Sequence, residues 1–438
     1  MKTHQKISFL KFKWALILFS IVTLTLISSC STSQHEQFGS YLTDLKILEK
    51  NKNNSSPYVV LISIDGFRHD YIKKYQPPFL SEIEKKGFRA KYLEPIFPSK
   101  TFPNHYSLIT GLYSDQHKLV ANRFYDPERK EAYLLGKPTT SDGTWYGGEP
   151  LWTSIKKQGL LTASYFWVGS DANIQNSYPS YYYPYNHGTP NTERTKQVLR
   201  WLEMPKEIRP HFITLYFSHV DSAGHRYGPN SDEVKEAVLN VDRLISNLAK
   251  EAQKMNGDVN FVIVSDHGMK EIDPKKSIFI GDYLETNLVS FYEQGPLTLG
   301  YFNTMATLEQ REVIIKKLQE IPGVKLYEKK DRPAHWHYSK LSRQGDFILV
   351  VENGAYLFPE KRPENFLGKS GGTHGYDPKI SPEMNGIFLG FGPQIKKSGV
   401  VDQTKNINIY PFIMDLLNLE VQVPIDGSSE KIKNLIRK

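Results

Sequence analysis

Tyr58-Val59-Val60-Leu61-Ile62-Ser63-Ile64-Asp65-Gly66 is the stretch on which the fold turns. It is a run of apolar, largely β-branched residues without alternation, and it stops at an aspartate and a glycine. A strand that is apolar toward both faces belongs inside a sheet covered on both sides, which is the habit of parallel sheets. The same signature recurs in His211-Phe212-Ile213-Thr214-Leu215-Tyr216-Phe217, which ends near His219 and Asp221. It recurs again in Asn260-Phe261-Val262-Ile263-Val264, which ends at Ser265-Asp266-His267-Gly268. Phe347–Val351 and Ile387–Leu389 are further strand candidates, and helices are expected over Pro78–Lys86, Thr192–Glu203, Ser231–Gln253 and Leu308–Glu320. Strands alternating with helices predict an α/β fold with a largely parallel central sheet flanked by helices.

Working outward, two stretches interrupt the rhythm. Residues 170–190 hold Tyr178, Tyr181, Tyr182, Tyr183 and Tyr185 among prolines, which predicts a loop lying across a pocket mouth. Residues 288–345 read as strand, helix, strand and a Pro- and His-bearing segment, which predicts a small inserted α+β subdomain within one domain over 57–438. The chain has 438 residues, a net charge of +8, 39% hydrophobic residues and one cysteine. This composition excludes a disordered chain, a disulfide scaffold and a Cys-rich zinc module. Lysines 2, 6, 11 and 13 precede the apolar run Trp14–Ile27, a pattern that predicts a secretory signal over 1–29. Taking those four lysines from +8 leaves +4 for the remainder, too small a surplus to indicate a dedicated nucleic-acid partner. Leu26-Ile27-Ser28-Ser29-Cys30 resembles a bacterial lipobox. Cys30 is therefore the expected lipidation site, with residues 30–56 a polar tether and the protein exported to the cell envelope on a membrane anchor.

Three expected strands end in or near an aspartate, Asp65, Asp221 and Asp266. In open α/β sheets ligands gather at that carboxyl edge. A lone aspartate there is usually a helix cap or a turn residue, but these have company. Asp221-Ser222-Ala223-Gly224-His225 sets a carboxylate and an imidazole four residues apart, Asp266-His267 sets them side by side, and Gly371-Gly372-Thr373-His374-Gly375 adds a histidine on a glycine-rich loop. Carboxylate oxygen and imidazole nitrogen without thiolate suit hydrolytic Zn²⁺, and three Asp with three His suffice for two ions that clamp an in-line phosphoryl displacement. Pro98-Ser99-Lys100-Thr101-Phe102-Pro103-Asn104-His105 places a threonine where a helix opens, a position that favours an anionic phosphate.

These segments resemble the nucleotide pyrophosphatase/phosphodiesterases of the alkaline phosphatase superfamily. The resemblance rests on Asp65-Gly66-Phe67-Arg68, Lys100 to His105, Gly148-Glu149-Pro150-Leu151-Trp152, Asp221 to His225, Ser265 to Met269 and Gly372 to Gly375. It implies an alkaline-phosphatase-like core in which Asp65, Thr101, Asp266 and His267 bind one zinc and Asp221, His225 and His374 bind the other. It further implies that Thr101 is the nucleophile and that Asn122 donates to the phosphoryl oxygens, with Phe102 and Tyr216 stacking on a base. Three positions depart from the family pattern: Lys118 stands for the usual glycine, Arg123 for a small polar residue and Val168 for proline.

The implied activity is hydrolysis of nucleotide or related phosphodiesters through a threonyl-phosphoryl intermediate, with a small-molecule substrate and no dedicated protein partner. A choline-type headgroup phosphodiesterase and a phosphomonoesterase of the same superfamily are the alternatives. For the latter, Arg123 is the nearby cation. A sulfatase is disfavoured by Thr101, and a non-catalytic module by the full set of Asp and His positions. His105 is expected to be a structural hydrogen bonder, His219 a satisfied buried histidine, and His335 and His337 local packing groups.

Overall fold

The computed structural model describes residues 49–51, 54–255, 257–285 and 287–437. Its elements in chain order begin with β1 (Tyr58–Ile64), α1 (Pro78–Lys86), β2 (Gly87–Ala90), α2 (Thr101–Thr110), β3 (Thr162–Tyr165) and β4 (Tyr181–Tyr182). Next come α3 (Asn191–Glu203), β5 (Phe212–Phe217), α4 (His219–Tyr227), α5 (Asp232–Met255) and β6 (Val259–Val264). A second group follows in β7 (Val289–Tyr292), β8 (Leu297–Phe302), α6 (Leu308–Gln319), β9 (Lys325–Glu328) and β10 (Phe347–Val350). The chain then returns through β11 (Phe388–Phe391), β12 (Gly399–Val401) and α7 (Ile409–Leu416).

The central sheet has eight strands in the order β12-β2-β11-β6-β1-β5-β3-β4. β1 lies in its middle, parallel to β5 and β6, and every residue of β1 is buried. Its side chains divide by parity, as a pleated strand requires. Val59 and Leu61 pack with α2 and α7, whereas Val60, Ile62 and Ile64 pack with α1, α3 and α5. This two-sided burial is the physical cause of the uninterrupted apolar run. β11 runs antiparallel to both β6 and β2, so Ile387–Leu389 marks the one reversed strand of this sheet among the described residues.

Phe347–Val350 departs from the expected pattern. It joins an antiparallel sheet in the order β7-β8-β10-β9 instead of the central one. Phe347 and Leu349 pack under α6, while Ile348 and Val350 face the main core. A strand of an antiparallel sheet sandwiched in this way is apolar on both faces, so its sequence mimics a parallel strand. The small sheet runs to Val350, past the stretch expected for the insert.

The tyrosine-rich stretch is only partly a loop. Tyr181-Tyr182 forms the edge strand β4, parallel to β3, and Tyr181 is wholly buried. The signal segment and Cys30 lie outside the described residues, as does most of the expected tether. Asn51, inside that expected tether, is 1% exposed. Its Nδ2 donates to the Lys206 and Arg209 carbonyls at 3.0 and 2.9 Å, and its Oδ1 accepts from Leu161 N at 2.8 Å. No helix among the described residues is long and apolar enough to cross a membrane.

Candidate active site

The carboxyl ends of β1, β5 and β6 meet in one cleft. Asp65 follows β1, and Gly66 then turns with φ +68°, a left-handed conformation natural to glycine. A Cβ at Gly66 would stand 2.8 Å from Asp221 Cα, so the missing side chain is what lets the two strand ends close up. Asp221 and His225 lie one turn apart on α4, with His225 Nε2 at 3.4 Å from Asp221 Oδ1. Asp266 and His267 follow β6. His374 comes from the loop after Gly372-Thr373, which pairs with Lys270-Glu271. Thr101 opens α2 at the same place, after Lys100 in extended conformation.

Thr101 Oγ1, Asp65 Oδ1 and Asp266 Oδ2 lie 3.2, 3.4 and 3.0 Å from His267 Nε2. The ligands of a tetrahedral zinc, at about 2.0–2.1 Å from the ion, stand roughly 3.3 Å from one another. Asp221 Oδ1, His225 Nε2 and His374 Nε2 form a second group with separations of 3.4, 3.1 and 3.8 Å. Nδ1 of His225, His267 and His374 donates to the carbonyls of Gly372, Gly268 and Ser99 at 2.9, 2.8 and 2.8 Å. A carbonyl can only accept, so each Nδ1 carries a proton, and each Nε2 is the ring nitrogen left to face inward. Asp65 Oδ1, Asp221 Oδ1 and Asp266 Oδ2 are buried without a hydrogen-bond donor. So many ligand atoms converging without hydrogen-bond donors fit cations, and the combinations Asp65/Asp266/His267 and Asp221/His267/His374 can each close around one.

The protonation equilibria register the same crowding. Burial, then the charges of Asp266 and Asp221, raise Asp65 well above the carboxylate range. Burial also works against ionised Asp266, but His267 and His105 outweigh it and hold that carboxyl well below its ordinary value. His374 is driven well below its usual range by burial and by the neighbouring His267 and His225. A dication at this point would reverse the repulsion among the carboxylates.

Above these groups opens a cavity of about 350 Å³ lined by Thr101, Phe102, Leu135, Trp167, Tyr185 and Tyr216, among others. Phe102 and Tyr216 are both among its lining residues. Tyr216 has a further contact that the sequence did not announce, since its hydroxyl donates to Asp65 Oδ2 at 2.6 Å. Asn122 Oδ1 accepts from Phe102 N at 2.9 Å, which leaves its Nδ2 to donate elsewhere. Glu293, which no sequence motif singled out, accepts from the backbone of Asn122 and Arg123 at 3.1 Å each.

The remaining histidines behave as structural groups. His105 joins Ser63 Oγ at 2.8 Å and the Thr101 carbonyl at 3.0 Å, and it lies 3.2 Å from Asp266. His219, expected to be buried, is instead exposed, its Nδ1 3.0 Å from Asn191 Nδ2, while His335 meets Asp377 and His337 stacks on Tyr113. Lys118, the departure from glycine, holds φ +71°, which explains why a glycine suits that position. Arg123 is exposed and Val168 lines the cavity.

A parallel sheet whose strand ends deliver three carboxylates, three imidazoles and a helix-opening threonine defines an alkaline-phosphatase-like protein. The profile of the family described as type I phosphodiesterase/nucleotide pyrophosphatase matches residues 59–377. The chain belongs to this family. It is 34% identical over 401 residues to human ectonucleotide pyrophosphatase/phosphodiesterase family member 1, covering 87% of this chain and 42% of that protein. With the venom phosphodiesterase of Naja atra it shares 33% over 388 residues, 86% of this chain and 46% of the other. The chain thus spans somewhat under half the length of the curated relatives it matches. Among solved structures, murine ectonucleotide pyrophosphatase/phosphodiesterase 5 superposes with a TM-score of 0.80 at 28% identity, covering 86% of this chain and 100% of that one. An inactive threonine-to-alanine form of that murine protein, in complex with AMP, superposes with a TM-score of 0.81 at 27% identity, covering 87% and 100%.

Proposed function

We propose that this protein is a two-zinc phosphodiesterase acting on nucleotide-containing diesters through a covalent threonyl-phosphoryl intermediate. The observation that carries the reading is the cluster of Thr101 Oγ1, Asp65 Oδ1 and Asp266 Oδ2 within 3.4 Å of His267 Nε2, at the floor of an aromatic cavity. Asp65, Thr101, Asp266 and His267 would hold one zinc, and Asp221, His225 and His374 the other. Zinc supplies Lewis-acid charge, which makes a hydroxyl or water nucleophilic near neutral pH and offsets charge on phosphoryl oxygens. Thr101 Oγ1 attacks phosphorus as the bond to the leaving group breaks on the opposite side. Asn122 Nδ2 and the N-terminus of α2 take the charge that grows on the phosphoryl oxygens. Water then cleaves the threonyl ester, and two inversions give net retention at phosphorus.

AMP in the murine neighbour supports a nucleoside substituent as the occupant of the cavity, with Phe102 and Tyr216 against the base. A phosphomonoesterase is disfavoured by Lys100, whose Nζ donates to the Gln294 carbonyl at 3.2 Å and pairs with Glu293 at 3.5 Å. The proposal extends to a bacterial origin and to lipidation of Cys30 in the cell envelope. Cys30→Ala should then move the protein from the membrane to the soluble fraction.

The deciding experiment compares Thr101→Ala and Thr101→Ser on a nucleotide aryl diester, with zinc content measured in each. Loss of turnover in the alanine form, partial retention in the serine form and excess of diester over monoester hydrolysis support the reading. Parent-like turnover by Thr101→Ala would refute the nucleophile.

A further inference from the structure

Asn122 has to present its amide to a phosphoryl group, yet it sits in an irregular segment just before the two-stranded ribbon Arg123–Asp126 and Glu131–Leu134. Its backbone is held from outside that segment. Glu293 stands at the turn between β7 and β8, is 8% exposed, and has φ +70°, an uncommon conformation for a residue with a side chain. Its Oε2 accepts from both Asn122 N and Arg123 N at 3.1 Å. Its Oε1 lies 3.5 Å from Lys100 Nζ, and Lys100 is the residue immediately before Thr101. The Lys100 side chain is itself buried and passes over Gly375, where a Cβ would meet its Cε at 2.7 Å. The Glu293 carbonyl, in turn, accepts from Thr298 Oγ1 at 3.3 Å, which ties the turn to β8. One buried carboxylate therefore bridges the segment of the phosphoryl donor and the cap of the nucleophile helix.

We infer that Glu293, delivered by the inserted sheet, is a positioning residue that fixes the Asn122 amide relative to Thr101. The inference rests on the proposed role of Asn122. A carboxylate accepting two backbone N–H groups fixes the peptide plane that carries the Asn122 side chain, and Phe102 N fixes the amide itself by donating to its Oδ1. Without the carboxylate, those two N–H groups and the Lys100 ammonium all lose an acceptor. The charge also serves Lys100 by giving it a partner away from the phosphate. The small sheet is thereby a working part of the site, because its turn holds a group that would contact substrate.

The test is a double-mutant cycle on a nucleotide aryl diester, combining Glu293→Ala with Asn122→Ala and measuring melting temperature and zinc content throughout. In the parent background Glu293→Ala should lower kcat, by up to about 10²-fold for a misplacement near 1 Å, with a smaller change in KM. In the Asn122→Ala background the same substitution should cost little further, since residues acting as one unit are not additive. Glu293→Gln, which keeps a carbonyl acceptor for the two amides, should restore most of the lost kcat. Amide hydrogen exchange should show Asn122 and Arg123 losing protection in Glu293→Ala and keeping it in Glu293→Gln. Equal losses in the two backgrounds would overturn the inference, as would unchanged kcat in a folded, zinc-loaded Glu293→Ala. If Asn122→Ala alone left kcat intact, the proposed role of Asn122 would fail instead. If Glu293→Ala does not fold, the glutamine variant and its amide protection carry the decision: parent-like kcat and protection support the inference, and a lost kcat with protection retained overturns it.

Discussion

Tyr216 serves two tasks with two parts of one side chain. Its ring faces the cavity, and its hydroxyl donates to Asp65 Oδ2 at 2.6 Å. Outer partners of metal-binding carboxylates set ligand orientation, and their loss commonly costs 10- to 100-fold in affinity or activity. Tyr216→Phe keeps the ring and removes only the donor. It is expected to weaken zinc retention about tenfold or more in a competition titration, while KM for a nucleotide diester measured at saturating zinc changes little. The apolar run placed residue 216 near the carboxyl end of a strand, and the resemblance assigned it to the base. Nothing in the run Phe212–Phe217 announced the bond to Asp65, because that contact joins residues 151 positions apart. Glu293 escaped for the same reason. The turn Glu293-Gln294-Gly295 reads as an ordinary polar hairpin, and its role exists only through contacts with residues 100, 122 and 123.

Among the elements, a strand buried on both faces and a helix with a single apolar stripe were the most legible. Tyr58–Ile64 and Pro78–Lys86 form a strand and a helix over the predicted bounds. Phe347–Val350 was legible as a strand but not as a member of its sheet, since burial on two sides erases the alternation that would have separated antiparallel from parallel pairing. The turn leaving β1 is a further case of local chemistry with a distant purpose. Gly66→Ala would force φ +68° on a residue with a Cβ and press that atom against Asp221. A destabilisation of about 2 kcal/mol and a loss of zinc affinity are expected, read by thermal unfolding and metal titration. Helix Leu151–Lys157 supplies a test by pH. Burial lowers Lys156 to about 7, although Nζ donates to Ser177 Oγ and the Tyr178 carbonyl. Because the folded value lies below the unfolded one, the unfolded chain holds the extra proton between about pH 7 and 10.5. Stability from this group therefore rises with pH across that window. Urea unfolding at pH 7 and 9.5 should show the parent gaining up to about 3 kcal/mol relative to Lys156→Met.

At the scale of the molecule, three carboxylates and three imidazoles converge where three strands end, a concentration of unpaired acceptors that raises the energy of the metal-free fold. Chelation is expected to abolish turnover and to lower the melting temperature, with zinc restoring both, because ligands that bind only the folded state stabilise it by mass action. Unchanged melting in a protein shown to be metal-free would contradict this account of the cleft.

The docking of Asn51 has a consequence for where the catalytic cleft can work. Its side chain stitches the chain to the Leu161 amide and to the Lys206 and Arg209 carbonyls, so attachment to the fold is already made at residue 51, ahead of the first strand. With Cys30 as the anchor, the span from residue 30 to residue 51 reaches at most about 75 Å at full extension. The enzyme would patrol a layer of that height above its bilayer, meeting diesters that diffuse within it and leaving untouched those that stay beyond.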